Sequence, residues 1–529
     1  MAMTYKPYKK TLLLLILVMV MALMISFPAQ HSEVQAAGPV TANTADWPSW
    51  GYDLSNHRYN ANETAITPAT VGKLKVRWTF AFPDTMINSN QPTVIGDTVY
   101  VGSWNGNVYA IDMATGQQRW RFFTGITGKT GITRSAIVVA KDLVLFGDQL
   151  GRFFAVNKGN GTLAWIQQDF EKHPLAQITG SPVVYGDHVY VPMASREESA
   201  GKDPTYLCCT FRGSLTALNI SDGSVAWRFY TVDEPQPSTQ KNVPLGPGGV
   251  GLWSTPAIDP DAGLIYLTTG NSYSPPVSPN SDAILAINLE DGKLRWSTQL
   301  TPADWFNEGC QQTPPVNCES EPGGDFDFSS SPLLISSTEM TSKLVIGIQK
   351  NGTMSALNAL TGKVIWQQMV GEPTAINWGA TYDGYRIYTG DASFNRHGGV
   401  YALNPATGKI VWQSAMPSCI PGADQAKADC WSGNMNAAVS TPGLIWISAM
   451  DGQLHAFDSE TGKALWSYDT AHSVQSTNGV AGHGGSIAAD NATIASGQVY
   501  VMSGYAKWNE HFLEGNVLYA FWLPQPEEF

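Results

Sequence analysis

Charged residues are scarce in this chain of 529, at 14%, and no stretch gathers lysine and arginine into a block. Phosphate backbones are held by basic faces, so a net charge of −13 without such a block excludes nucleic acid as a partner. No Cys-x-x-Cys-His occurs, and covalent c-type haem is therefore not expected. No glycine-rich loop leads from a strand into a helix to cradle a phosphate, and no Ser/His/Asp grouping suggests a hydrolase. His472 and His483 stand in a Gly/Ser/Asn-rich segment without metal spacing and read as loop histidines. What the chain has instead is 51 glycines and 18 tryptophans, a composition suited to short strands and tight turns. An all-β class follows.

Residues 1–36 read as a targeting segment. Lys6, Lys9 and Lys10 precede an apolar run from Thr11 to Phe27, and Val34-Gln35-Ala36 offers small residues for cleavage. The protein is expected to be exported, periplasmic or extracellular. The run is long enough that an uncleaved membrane anchor is the alternative. No later segment is apolar enough to span, so the mature chain, residues 37–529, is expected to lack a membrane span.

Export favours disulfides for the six cysteines, which fall as Cys208 with Cys209, Cys310 with Cys318, and Cys419 with Cys430. The latter two pairs would staple surface insertions. Two adjacent cysteines can staple nothing, so Cys208 and Cys209 point either to a local role in a site or to two separate thiols.

One frame recurs along the chain: Ala, any residue, Asp or Asn, three residues, Gly, three residues, Trp. It ends at Trp120, Trp165, Trp227, Trp296, Trp366, Trp412 and Trp466, at intervals of about 40 to 70 residues. Each copy predicts a hairpin, with the Asp or Asn bonding its own backbone and the Gly supplying a positive φ in the turn. Two fragments flank the seven copies: Leu74 to Phe80 carries a Trp without the Ala and Gly, and Val517 to Leu523 carries the Ala strand and then stops. Joined, they make an eighth repeat and close a ring. An eight-bladed β-propeller is the expected fold, with a single domain over residues 37–529; a linear solenoid would need capping repeats that are absent.

The intervals ending at Trp227, Trp296 and Trp366 are longer than the rest, and long loops on rigid scaffolds carry function. Into them fall Cys208 and Cys209, Glu197 and Glu198, Trp253, Asn271, and Gly323-Gly324-Asp325-Phe326-Asp327. Carboxylates with an Asn amide are hard oxygen donors of the kind that bind Ca²⁺.

With these features the chain resembles the eight-bladed quinoprotein alcohol dehydrogenases, which use pyrroloquinoline quinone (PQQ), over nearly its whole mature length. CCTFRGSLTAL, from Cys208 to Leu218, is most similar to the polyvinyl alcohol dehydrogenase branch. The resemblance implies roles residue by residue. Trp253, in GLWSTPAIDP, matches the tryptophan on which PQQ stacks, and Arg134, in ITRSA, the arginine that holds a PQQ carboxylate. Thr179, in TGSP, and Trp431, in WSG, match cofactor contacts. Lys350 matches the cation against the quinone oxygens, Asn271 in TTGN a metal ligand, and Asp325 the catalytic aspartate.

Several positions depart from the family pattern. The metal-binding glutamate falls on Glu197 or Glu198, because this segment is about one residue longer. A glutamate common before Gln-Pro is replaced in Ser89-Asn90-Gln91-Pro92. The adjacent cysteines lie beside Arg212 rather than ahead of the position of Arg134, so their cover of the quinone is an expectation only. Asp327 matches the extra acid of lanthanide-using members, which raises a lanthanide beside the default Ca²⁺, with Asp325 and Asp327 as further donors.

The implied reaction takes an alcohol to an aldehyde or ketone, Asp325 accepting the proton, and passes electrons to an external acceptor such as a cytochrome c. The repeats alone fit a second class equally well, a non-catalytic propeller that binds proteins in the cell envelope.

Overall fold

The computed structural model describes residues 46–524, apart from 169, 238–244, 319–321, 339, 373–375, 393–397, 418–430, 489–490 and 508–511. The targeting segment and the pair Cys419 and Cys430 lie outside the described residues.

Every frame forms the expected hairpin. Its Ala faces its Trp across the two strands, from Ala110 opposite Trp120 to Ala456 opposite Trp466, and a register shift follows each pair. Asp112 Oδ1 accepts from the Ala114 and Thr115 N–H groups at 3.1 and 2.9 Å, and Asn358 does the same for Leu360 and Thr361. The frame glycines stand at positive φ, 69° at Gly116 and 70° at Gly362.

The glycine also meets a second demand that the repeat pattern conceals. A Cβ at Gly116 would come within 2.6 Å of the Trp78 ring, and Gly161 and Gly462 are equally close to Trp120 and Trp412. Trp78, Trp120, Trp165, Trp227, Trp296, Trp366 and Trp412 therefore each lie on the turn of the next repeat. The indole N–H groups of Trp78, Trp120, Trp165, Trp296, Trp366 and Trp412 donate to carbonyls there, Trp78 to Met113 at 3.0 Å and Trp120 to Lys158 at 2.8 Å. Burying such a side chain contributes about 2–3 kcal/mol, so each of these seams is fastened by one residue.

Two preceding strands extend each hairpin to a four-stranded antiparallel blade, at residues 93–123, 138–167, 183–230, 257–299, 333–369, 381–415 and 439–469, and in the third blade Ala176–Gln177 adds a fifth strand against His188–Ser195. The eighth blade takes Thr493–Ala495, Gln498–Ser503 and Val517–Trp522 from one end of the chain and Lys75–Ala81 from the other. Trp78 pairs with Ala520, so the split repeat is completed as expected and the ring is closed. A linear solenoid is ruled out.

Closure has a second component that the sequence pattern did not reveal. Residues 47–63 form a strap that bonds to the first strand of six blades in turn. Trp47 pairs with Val94; Leu54, Ser55, His57 and Arg58 accept from the N–H groups of Ile258, Leu334, Tyr382 and Ser440; and Asn60 donates to the Ile494 carbonyl. Arg58, fully buried, donates to the carbonyls of Ala438 and Trp50 and to Gln91, and stacks on Trp50 at 4.3 Å. Among the described residues no helix is long and apolar enough to cross a membrane.

Candidate active site

Tryptophans outside the repeat frame collect where the blades converge. Trp50 of the strap, Trp104, Trp253, Trp378 and Trp431 belong to one apolar cluster. Trp253 meets Trp378 edge to face at 5.0 Å, and a narrow cavity beside them is lined by Trp50, Arg134, Thr179, Ser181, Trp253 and Trp378. The Arg134 guanidinium lies 4.9 Å from the centre of the Trp378 ring and 5.5 Å from that of Tyr505. The Thr179 hydroxyl is buried without a hydrogen-bond partner among the described residues. Aromatic walls, a held guanidinium and an unused hydroxyl suit a flat, anionic ligand. Three of the expected cofactor residues thus meet. Trp431 packs on Phe512 in the same cluster but does not line this cavity.

Trp253 also reaches an acidic group. Its indole N–H donates to Asp327 Oδ2 at 3.2 Å, and the Lys350 ammonium lies 5.3 Å from its ring centre. Lys350 Nζ stands 2.7 Å from Asp325 Oδ1 and 2.6 Å from Asp327 Oδ1. Burial would lower the lysine, but the charges of Asp327, Asp325 and Glu198 hold it well above the ordinary ammonium range. Burial pushes the Asp325 carboxyl up to about 6, opposed by Lys350 and reinforced by Asp327, and it raises Asp327 as well. Glu198, half-buried, is pushed up to about 8 by burial and then by the charge of Asp325. More carboxylates converge here than one ammonium neutralises, which favours a further cation.

The two glutamates separate cleanly. Glu197 is buried and accepts from the Tyr206 hydroxyl at 2.8 Å and from the Thr210 and Phe211 N–H groups at 2.7 and 2.8 Å. Burial acts to raise its carboxyl, but these bonds and His173 hold it below the usual range. It is fully engaged as an anchor of the segment after the cysteines, whereas Glu198 feels the charges of Asp325, Lys350 and Asp327.

Asn271 is buried and spends its Nδ2 on the Phe306 and Ser272 carbonyls at 2.9 and 3.3 Å, leaving Oδ1 without a partner among the described residues. An orphaned amide oxygen is costly unless something binds it. Its neighbour Gly270 lies close to Asp327, since a Cβ there would meet Oδ2 at 3.3 Å. Among the described residues no three His, Cys, Asp or Glu side chains form a metal-holding group by themselves. The candidate set is mixed: Glu198, the Asn271 oxygen, and Asp325 and Asp327, which Lys350 now bridges. Hard oxygen donors of this kind fit Ca²⁺ or a similar cation.

Cys208 and Cys209 are joined to each other, as are Cys310 and Cys318. The adjacent pair is fully buried in a cluster with Phe211 and Tyr273 and does not line the Trp253 cavity. Asn90, where the family has its extra glutamate nearby, ties two blades together by donating to Arg134 and Ser135 carbonyls and accepting from Gly102 N–H. Sequence reasoning missed Trp50 and Trp378 in the cavity wall; their signal was available, because both are tryptophans off the frame. It also missed the buried acids Asp282 and Asp304. Burial pushes Asp282 up to about 10, helped by the charges of Asp327 and Asp304.

Comparison with known proteins identifies the family and the fold. Residues 47–375 match the glucose/ethanol/alcohol dehydrogenase β-propeller domain, a PQQ family, and residues 350–516 match the outer membrane protein assembly factor BamB. The chain is 34% identical over 509 residues to a polyvinylalcohol dehydrogenase of a Pseudomonas species, covering 91% of this chain and 78% of that protein. It is 32% identical over 518 residues to one from Sphingopyxis sp. (strain 113P3), covering 92% and 78%. The quinohemoprotein alcohol dehydrogenase of Comamonas testosteroni shares the fold, with a TM-score of 0.68 at 20% identity over 91% of this chain and 81% of that one. With a family match over residues 47–375, more than half of the chain, and relatives of this identity along most of its length, the chain belongs to the PQQ-dependent dehydrogenase family and is a quinoprotein alcohol dehydrogenase.

Proposed function

We propose that this protein, exported after loss of residues 1–36, oxidises the secondary alcohol groups of a polyvinyl-alcohol-like polymer or of smaller alcohols, with Asp325 as base. The observation that carries the reading is the Lys350–Asp325 pair, at 2.7 Å, beside the tryptophan that walls the Arg134 cavity. The substrate class follows the two polyvinylalcohol dehydrogenase relatives.

PQQ, bound with a divalent or trivalent cation, supplies the two-electron oxidant. Trp253 offers its face to the flat ring, Arg134 attracts a carboxylate and Thr179 donates or accepts at its free hydroxyl. Glu198 and Asn271 Oδ1 would hold the cation, with Asp327 able to enlarge the set for a lanthanide. Asp325, half-buried and raised towards neutrality, takes the hydroxyl proton of the alcohol as its carbon is oxidised. Lys350 stabilises negative charge developing beside it. Ca²⁺ is the default cation, because Asp327 already accepts from Trp253 and faces Lys350. Electrons leave to an external acceptor.

The test is reconstitution of the purified protein with PQQ and Ca²⁺, or with a lanthanide, followed by dye reduction with 2-propanol and with polyvinyl alcohol. Alcohol-dependent turnover that Asp325→Ala abolishes supports the reading. PQQ binding without turnover on any alcohol would sink it.

A further inference from the structure

Asp304 lies in the insertion between the fourth and fifth blades and is buried, with 2% of its surface exposed. Its carboxylate is spent on the backbone of a loop about twenty residues further on. Oδ2 accepts from the Phe326 N–H at 2.6 Å, and Oδ1 accepts from the Asp325 N–H at 3.3 Å. The next residue, Trp305, accepts from the Gly323 N–H at 2.9 Å, so the loop is held at both ends of its turn. The approach is close enough to demand glycine: a Cβ at Gly323 would lie 1.7 Å from Asp304 Oδ1. Between these anchors Asp325 stands at φ 58°, a left-handed conformation that aspartate tolerates better than most residues but that still needs support from its surroundings to persist. Two successive N–H groups converging on one carboxylate make a small anion nest, and charge-assisted bonds of this kind are strong enough to impose such a turn.

We infer that Asp304 is a positioning residue for Asp325: by clamping the N–H groups of Asp325 and Phe326 it fixes the turn that delivers the Asp325 carboxylate to Lys350. The inference rests on the proposed role of Asp325 as base. Asp304 itself needs no contact with alcohol, cofactor or cation. Losing the clamp frees the turn to relax out of the left-handed region, and a displacement of the base by about 1 Å costs ~10²-fold in rate.

The experiment compares Asp304→Ala, Asp304→Asn, Gly323→Ala, Asp325→Ala and the double variant Asp304→Ala/Asp325→Ala in protein reconstituted with PQQ and Ca²⁺. Turnover of 2-propanol is measured with PQQ affinity by tryptophan fluorescence quenching, and with amide hydrogen exchange of the 323–328 segment in protein without cofactor. Asp304→Ala and Gly323→Ala should lower kcat ~10²-fold while KM and PQQ affinity stay within ~3-fold. Exchange of the Phe326 amide should speed up ~10-fold or more. Asp304→Asn, which keeps one acceptor oxygen, should recover most of the rate. The double variant should be no slower than Asp325→Ala, because both act through one group.

Unchanged kcat in Asp304→Ala and Gly323→Ala overturns the inference, as do additive losses in the double variant or a fall in PQQ affinity that matches the fall in rate. If Asp304→Ala does not fold, Gly323→Ala and Asp304→Asn decide by the same criteria. Full activity in Asp325→Ala, with or without an effect at Asp304, overturns the assignment of the base and this inference with it.

Discussion

The ring has two arcs built by the same rule and used differently. From the third blade to the fifth, residues 183–369, the blades carry long insertions, and all the acids of the candidate site and its cation Lys350 lie in that arc. From the sixth blade to the eighth, residues 381–522, the repeats are plainer, and the expected site residue there, Trp431, packs in the axial cluster without lining the cavity. Seams of the same kind occur in both: Trp296 donates to Ala359 at 3.1 Å in one arc, and Trp412 to Ser459 at 3.2 Å in the other. Family matches divide along a similar line, the dehydrogenase domain ending at residue 375 and the assembly-factor match beginning at 350. Docking therefore makes the ring, and what is inserted between docked blades makes the enzyme.

The sharpest break between the arcs is expected at Asp325. Replacing it with alanine should cut kcat by ~10³-fold, or about 4 kcal/mol, with PQQ affinity within ~3-fold, measured by dye reduction and fluorescence titration. Any substitution in the plain arc that matched this at equal stability would break the comparison. Next, Trp296→Ala and Trp412→Ala should each cost about 3 kcal/mol in denaturant unfolding, because both remove the same docked ring. Unequal losses would mean that the insertions also hold their seams.

Smaller is the effect of Trp253→Ala, which should weaken PQQ binding by ~30-fold, about 2 kcal/mol, through lost ring contact. Trp431→Ala should weaken it by less, since that ring does not line the cavity.

The smallest prediction belongs to the plain arc and concerns pH. His455, buried in the seventh blade with Nε2 lacking a partner among the described residues, is pushed down to about 4 by burial. In the unfolded chain it titrates near 6.5, so below that pH the unfolded state binds more protons and folding weakens as pH falls towards the folded value. His455→Gln should remove up to about 2 kcal/mol of the stability difference between pH 7.5 and pH 4.5, read by thermal unfolding. An unchanged difference would refute a neutral buried imidazole.

The ring was legible because its signal is local. Alanine, glycine and tryptophan recur at fixed offsets, and even the split repeat could be read from Trp78 and the strand around Ala520. The strap was not legible: residues 47–63 show no periodicity, since their bonds are spread over six blades. The choice between Glu197 and Glu198 was also hidden. Successive residues of a helical turn point about 100° apart, so one faces the N–H groups of Thr210 and Phe211 while its neighbour faces the acids. No spacing rule distinguishes two adjacent glutamates.

By itself, the sequence determined the blade, its count and its closure, because strand alternation, turn chemistry and the Trp–Gly contact are encoded by residues near one another or one repeat apart. Only the tertiary structure decided which side chains share a site. Arg134 meets Trp378, and Trp50 joins Thr179 and Trp253 in the cavity wall, across separations that no local pattern records. The physical reason is that a closed ring brings every blade to one axis, so contacts there depend on the whole circuit of docked blades rather than on any stretch of chain.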